Sequence, residues 1–171
     1  MNWIGRPATG QQTLGLALVL SGMAAVILTV LGFQHIGGYV PCKLCLGQRE
    51  PYYAALPVAA IGLIAALAGW RAVLIRGALA ITGLLMIYAM VLGIHHAGVE
   101  WAWWEGPGDC GAINDGVMTN AGDLLSSLSA VKPPSCNEAA GRFLGLSFAG
   151  WNVVAAFCLA GIAFYGSFRR D

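Results

Sequence analysis

Four long stretches without a charged residue most constrain the fold of this chain of 171 residues. They cover about residues 13–33, 51–69, 77–94 and 145–168. A helix of such length crosses a hydrocarbon core of about 30 Å, because it rises about 1.5 Å per residue. The composition agrees, since 58% of the residues are hydrophobic and only 10% are charged, unlike a water-soluble domain. We therefore predict an all-α membrane protein, a single domain over residues 1–171 that folds as a four-transmembrane-helix bundle.

The charges between the stretches predict how the helices are oriented. Five arginines and one aspartate flank the helices on one side, for a net charge of +4: Arg6, Arg71, Arg76, Arg169, Arg170 and Asp171. The long segment on the other side, 97–142, has a net charge of −4. Basic residues near helix ends tend to remain in the cytoplasm. We expect a multi-pass membrane protein with both termini cytoplasmic and with loops on the outer face at about 34–50 and 97–142.

Cys42 and Cys45 form a C-x-x-C motif just before the second predicted helix. A structural disulfide there would close so short a loop that its entropic stabilisation would be small. A structural zinc site needs four Cys or His ligands, and the chain has no second C-x-x-C motif. We favour a redox pair and predict no bound metal, because such a motif cycles between dithiol and disulfide with little backbone movement.

Cys110 and Cys136 enclose 25 residues of the long loop between the third and fourth helices. Their spacing alone favours a structural disulfide, whose chain-entropy stabilisation could reach about 3 kcal/mol. Two unlike cysteine pairs on one oxidising membrane face can instead exchange disulfides and pass electrons. The alternatives are therefore an enzyme or a non-enzymatic four-span scaffold with a disulfide-stapled outer loop. Cys158, within the fourth helix, is interpreted as a packing residue.

Several motifs, in chain order, resemble the disulfide bond formation protein B (DsbB) family. They are Phe33-Gln34-His35, Pro41 to Cys45 with Gln48-Arg49, His96, Gly106 to Cys110, Cys136-Asn137-Glu138, and Arg142 to Ser147. The resemblance covers nearly the whole chain, and it is specific because the four cysteines, the arginine after the C-x-x-C motif and the helix order match together. It implies a multi-pass oxidoreductase of the bacterial inner membrane, with the loops 34–50 and 97–142 periplasmic. Such an enzyme oxidises a periplasmic DsbA-like thiol oxidase and passes two electrons to a quinone, ubiquinone or menaquinone. No nucleic acid partner is expected.

The resemblance also implies a catalytic role for each of the four cysteines. Cys110 matches the cysteine that the partner's thiolate attacks to form a mixed disulfide. Cys136 matches its companion in the loop, which exchanges with Cys42. Cys45 matches the thiol nearest the quinone, whose thiolate would donate electron density to the ring.

Two further residues are predicted to bind the quinone together with Cys45. Arg49 matches the family residue that supports quinone binding, and it would share a helical face with Cys45 if that segment is helical. An interfacial arginine reaching toward lipid headgroups is the alternative. His96 is similar in position to a histidine near the quinone, although an ordinary polar residue at the helix end would look the same. Gln48 departs from those family members that have an acidic residue there.

Two other enzyme or cofactor classes fit the sequence less well. A vitamin K epoxide reductase-like enzyme also combines loop cysteines, a C-x-x-C motif and quinone in a four-helix bundle. Its loop pair precedes the C-x-x-C motif, however, whereas the order in this chain is reversed. A haem anchor is disfavoured because the three histidines, His35, His95 and His96, all fall near one outer boundary.

Overall fold

The structure is a computed structural model, and it describes residues 9–107 and 136–169. Its helices are α1 (Gly10–His35), α2 (Lys43–Gly47), α3 (Glu50–Leu67), α4 (Ala72–Glu100) and α5 (Phe148–Phe168). A two-stranded antiparallel hairpin, β1 (Arg142–Phe143) and β2 (Leu146–Ser147), precedes α5. Four helical stretches are long and apolar enough to span a membrane, with α2 and α3 forming one of them. The predicted all-α, four-helix membrane fold is confirmed.

The helix α4 is longer at both ends than the predicted span 77–94. It includes Arg76, which the sequence places in the preceding turn, because α5 accommodates the charged side chain. The Nε of Arg76 donates to the carbonyl oxygen of Ser167 over 2.7 Å, and the Ser167 hydroxyl donates back to the Arg76 carbonyl over 3.0 Å. At its other end α4 continues to Glu100, so the long loop begins after that residue rather than at residue 97.

The helix α5 starts at Phe148, three residues after the predicted start at Gly145. Leu144 and Gly145 have φ angles of 50° and 84°, and such a pair of left-handed residues forms the tight turn of a hairpin. The Ser147 hydroxyl then caps α5 by accepting the backbone N–H of Gly150 over 3.2 Å. The turn geometry, rather than hydropathy, decides where this helix begins.

The four spanning helices pack as a ring in which α1 and α4 each contact both α3 and α5. Small residues bring the backbones close, since a Cβ atom added to Gly62 would lie 2.8 Å from the Ala78 Cβ. The fully buried apolar side chains include Leu16, Val19, Met23, Leu79 and Met86, whereas many Leu, Ile and Phe side chains face outward, as lipid requires. Cys42, Cys45 and Cys136 lie at one end of the bundle, beside the last residues of α4.

Candidate functional site

Cys42 and Cys45 lie at the start of α2, where both are free thiols. Cys42 is the N-cap residue, and its sulfur accepts the backbone N–H of Cys45 over 3.3 Å. The two Sγ atoms are 2.7 Å apart. A disulfide bond is about 2.05 Å long, so this pair can close with little movement of the chain.

A tight turn at Gln48 and Arg49 connects α2 to α3. The Arg49 N–H donates to the Leu46 carbonyl over 2.9 Å, and the next helix follows directly. The turn sends the two side chains to different helices, because Gln48 contacts His96 of α4 while Arg49 donates to Gln34 of α1 over 2.6 Å. Because α2 ends at Gly47, Cys45 and Arg49 do not lie on one continuous helix.

Cys136 lies in one buried cluster with Cys42 and Val99, and Cys45 borders the same cluster. Its side chain is 1% exposed, and its sulfur is in a disulfide. The predicted partner of that disulfide, Cys110, is outside the described residues. We call Cys42 and Cys45 the tight pair and Cys110 and Cys136 the wide pair. The structure brings a cysteine of the wide pair against the tight pair, as exchange between the pairs requires.

The backbone around Gly106 holds the Cys136 segment against the end of α4. A Cβ atom added to Gly106 would lie 2.7 Å from Asn137 Oδ1 and 2.9 Å from Val99 Cγ1. The chain leaving α4 and the residue after Cys136 are therefore packed too closely for a side chain between them. This packing positions Cys136 over the tight pair.

His96 is buried beside the cysteines, with 4% of its surface exposed. Its Nε2 lies 3.7 Å from Cys42 Sγ, and its Nδ1 lies 2.6 Å from Gln48 Nε2. A Glu100 carboxylate oxygen is 3.8 Å from the same Nε2, longer than a hydrogen bond. His96 is therefore not an ordinary interfacial residue, although its predicted contact with quinone stays a prediction.

The polar contacts continue from Gln48 into the middle of the bundle. Gln48 Oε1 accepts from Asn152 Nδ2 over 2.7 Å, and Asn152 Oδ1 accepts the Tyr52 hydroxyl over 2.7 Å. Sequence reasoning missed Asn152 and Tyr52 as site residues. The available signal was an amide side chain within an apolar span, since polar residues in membrane helices usually have a functional or pairing role.

Two buried polar atoms lack a hydrogen-bond partner within residues 9–107 and 136–169. They are Arg49 Nε and Glu100 Oε2. Leaving such an atom unpaired costs about 1–3 kcal/mol, so an unpaired donor is a natural contact for a ligand acceptor. Arg49 Nε is the unpaired donor of the two.

Cys42, Cys45 and His96 also form a compact group of potential metal ligands. One ligand atom from each lies within 4.8 Å of the others. The two sulfurs are suitable for a soft cation. His96 could complete such a set only if its Nε2 carried a lone pair rather than a proton.

The surroundings of Cys42 favour its thiolate. Cys42 precedes the spanning stretch Lys43–Leu67. The hydrogen bond from Cys45 lowers the pKa of the Cys42 thiol to about 4, with help from His96 and the Cys45 N–H, although burial raises it. The resemblance placed the functional thiolate at Cys45, whereas this dithiol geometry favours negative charge on Cys42.

We expect the alkylation rate of Cys42 in the reduced protein to be nearly constant from about pH 5 to pH 8. With its pKa lowered to about 4, the thiol is already ionised throughout this range and takes up its proton only below it. An ordinary thiol, with a pKa of about 8.5, would react about tenfold faster for each added pH unit. Iodoacetamide, a small reagent, and peptide mass spectrometry provide the measurement.

The same protein denatured in detergent is the reference for this experiment, because unfolding removes the neighbours of Cys42. A tenfold rise per pH unit in the folded protein would contradict the expected ionisation.

Comparisons with known proteins agree on one family. The family model of "Disulfide bond formation protein DsbB" matches residues 12–166. Curated relatives with the name disulfide bond formation protein B include one from Polaromonas sp. (32% identical; 88% of this chain, 86% of the relative). Others are from Azoarcus sp. (31%; 89% and 90%) and Marinobacter nauticus (31%; 90% and 88%). No solved structure matches the chain.

Proposed function

Because the chain belongs to the family of disulfide bond formation protein DsbB, we propose that it reoxidises a periplasmic DsbA-like thiol oxidase and passes the electrons to membrane quinone. Family membership and four spanning helices make it a multi-pass, disulfide-forming membrane protein. We further propose the DsbA-like partner, the quinone, the inner membrane and an orientation with the cysteine loops in the periplasm.

The position of Cys136 in the buried cluster with Cys42 is the observation that carries this proposal. In the proposed reaction, a thiolate of the reduced partner attacks Cys110, breaks its bond to Cys136 and forms a mixed disulfide. The released Cys136 thiolate attacks Cys42 of a closed tight pair, so that a bond to Cys42 forms and Cys45 leaves as a thiolate. A scaffold whose loop disulfide was only structural would not need this contact.

The second half of the reaction completes the oxidation of the partner and leaves Cys42 and Cys45 reduced. The partner's other thiolate closes its own disulfide and releases Cys110, which attacks Cys136 and displaces Cys42. The partner has then lost two electrons and two protons, and the tight pair is left as a dithiol. Cys42 leaves at low cost because Cys45 and His96 lie within reach of its thiolate.

The residues around Arg49 fit a quinone. Arg49 has a buried Nε that is unpaired within the described part of the chain, and a quinone carbonyl is a matching acceptor. Gln34 holds the other end of the guanidinium, and Cys45 is only partly buried. Arg49 and Cys45 would therefore hold the group, and His96, which the family resemblance predicts to lie near the quinone, would border it through its ring. A bound quinone supplies an acceptor for the two electrons and two protons of the tight pair.

The test is to mix the purified, quinone-free protein with a reduced DsbA-like thiol oxidase and a soluble ubiquinone analogue. We expect partner thiols and quinone absorbance to disappear together, one disulfide for each quinone reduced. Oxidation of at most two partner molecules per chain, one for each disulfide, without further turnover would support the thiol exchange and contradict quinone as the electron acceptor. If protein in which Cys42 and Cys45 form a disulfide fails to oxidise the partner, the proposed function is overturned.

A further inference from the structure

The Gln48 amide decides which ring nitrogen of His96 carries the proton. Gln48 Nε2 lies 2.6 Å from His96 Nδ1, and an amide nitrogen can only donate. The Nδ1 atom must then accept, so in the neutral ring the proton is on Nε2, which faces Cys42 Sγ at 3.7 Å. Glu100 Oε1, 3.8 Å from Nε2, also favours a proton there.

Asn152 of α5 determines the orientation of the Gln48 amide. Its Nδ2 lies 2.7 Å from Gln48 Oε1 and 3.4 Å from the Ala89 carbonyl oxygen. A carbonyl oxygen can only accept, so the NH2 group of Asn152 must face α4, and it then donates to Gln48 Oε1. The Tyr52 hydroxyl donates to the remaining Oδ1 over 2.7 Å. Reversing the Asn152 amide would place two acceptor oxygens against each other at Ala89.

Gly93 of α4 makes this close approach between α4 and α5 possible. A Cβ atom at Gly93 would lie 2.9 Å from Val153 Cγ2 and 3.2 Å from Asn152 Nδ2. Asn152 therefore reaches the Ala89 carbonyl at a point where α4 and α5 lie too close together for a side chain on α4. The Ala89 carbonyl thus fixes which group donates and which accepts at each step of the hydrogen-bond chain. The chain runs from Asn152 through Gln48 and His96 to Cys42.

We propose that Asn152 is a positioning residue that holds His96, through Gln48, in the tautomer whose Nε2–H donates to Cys42. The inference rests on the proposed function, because the hydrogen bond assists exchange only if Cys42 leaves as a thiolate. The same proton occupies the lone pair that a cation bound by Cys42 and Cys45 would need from His96. The amide chain thus keeps the reduced site a hydrogen-bonded thiolate rather than a three-ligand metal site.

The tautomer is measured directly by ¹⁵N NMR of histidine-labelled, reduced protein in nanodiscs. Couplings to the ring protons tell which nitrogen is protonated, and a His96→Gln sample separates the signals of His96 from those of His35 and His95. We expect a single His96 form, protonated at Nε2 and unprotonated at Nδ1.

Three variants separate amide control from general packing. Asn152→Leu removes the donor to Gln48, and we expect a mixture of the two His96 tautomers. Gln48→Glu replaces the donor by an acceptor, so a proton should appear on Nδ1. Tyr52→Phe is the matched control, because it removes a hydrogen bond of the same chain but leaves the Ala89 carbonyl to orient Asn152. Its His96 signals should match those of the unaltered protein.

Partner oxidation by the Asn152→Leu variant should also slow about twofold, because an equal mixture leaves half of the molecules with the Nε2–H that donates to Cys42. The inference is overturned if the unaltered His96 is protonated at Nδ1, or if the Asn152→Leu variant keeps the Nε2–H form alone. The NMR result needs neither quinone nor a thiol partner. Failure of the proposed function would therefore appear in the turnover assay and leave the tautomer measurement interpretable.

Discussion

Cys42→Ser is expected to lower the rate of partner oxidation at least about a thousandfold, to the uncatalysed background. Cys42 lies in the buried cluster with Cys136, and its sulfur is 2.7 Å from that of Cys45. A serine oxygen cannot form either disulfide, so electrons from the partner would stop at Cys136. Loss of partner thiols and loss of quinone absorbance, followed in the same sample, measure the effect.

Cys158→Ser is the matched control for this experiment. Cys158 is also a free cysteine, but it lies on the exposed face of α5 rather than packed inside the bundle as the sequence suggested, and it is away from the cluster around Cys42. We expect its turnover to equal that of the unaltered protein. Turnover by Cys42→Ser above a few per cent would show that exchange does not pass through Cys42, and the scaffold interpretation would then be the better one.

The sequence predicts the four spanning helices because a long apolar segment in a bilayer must satisfy its backbone hydrogen bonds internally, and a helix does so. It predicts their ends less well, since those depend on individual contacts. Arg76 can enter α4 only because the Ser167 carbonyl of α5 accepts its Nε–H. Gly145 looks like the start of a helix but lies in a hairpin turn with a φ of 84°. Neither the contact of Arg76 nor the hairpin turn at Gly145 is visible from hydropathy.

The candidate site divides in a similar way. The spacing of the cysteines, with the family resemblance, is enough to predict a redox pair at Cys42 and Cys45. The contact of His96 with Cys42 joins residues 54 positions apart, and that of Asn152 with Gln48 joins residues 104 positions apart. These contacts depend on the rotation of each helix about its axis, which apolar residues on all faces do not specify. A single amide in α5 was therefore missed.

A chain of hydrogen-bonded polar residues runs from the bundle interior to the cysteines, and Asn152 and Tyr52 are its two members that sequence reasoning missed. A buried polar group in lipid is costly unless it is paired. Each polar side chain here has the next one as its hydrogen-bond partner, in the order Tyr52, Asn152, Gln48 and His96, and the chain ends on the sulfur of Cys42. The network thereby connects the packing of α3, α4 and α5 to the charge state of one reactive atom.

Arg49→Gln is expected to raise the KM for quinone at least about tenfold, the effect of removing a charged hydrogen-bond donor from a buried site. Glutamine keeps an amide that can donate to Gln34, but it lacks the buried Nε–H that is unpaired within residues 9–107 and 136–169. No bond forms or breaks at Arg49 in the proposed thiol exchange. Oxidation of the first partner molecule per chain should therefore keep its rate, whereas repeated turnover at limiting quinone should fall.

Arg142→Gln is the matched control, because Arg142 is exposed in the hairpin before α5 and carries the same charge. Steady-state rates over a range of soluble quinone concentrations give KM and kcat for each variant, and a rapid-quench measurement of partner thiols gives the first turnover. An equal rise in KM for both variants would mean that general charge, rather than the buried donor, attracts the quinone. An unchanged KM for Arg49→Gln would remove Arg49 from the quinone site and leave Cys45 and His96 as its predicted contacts.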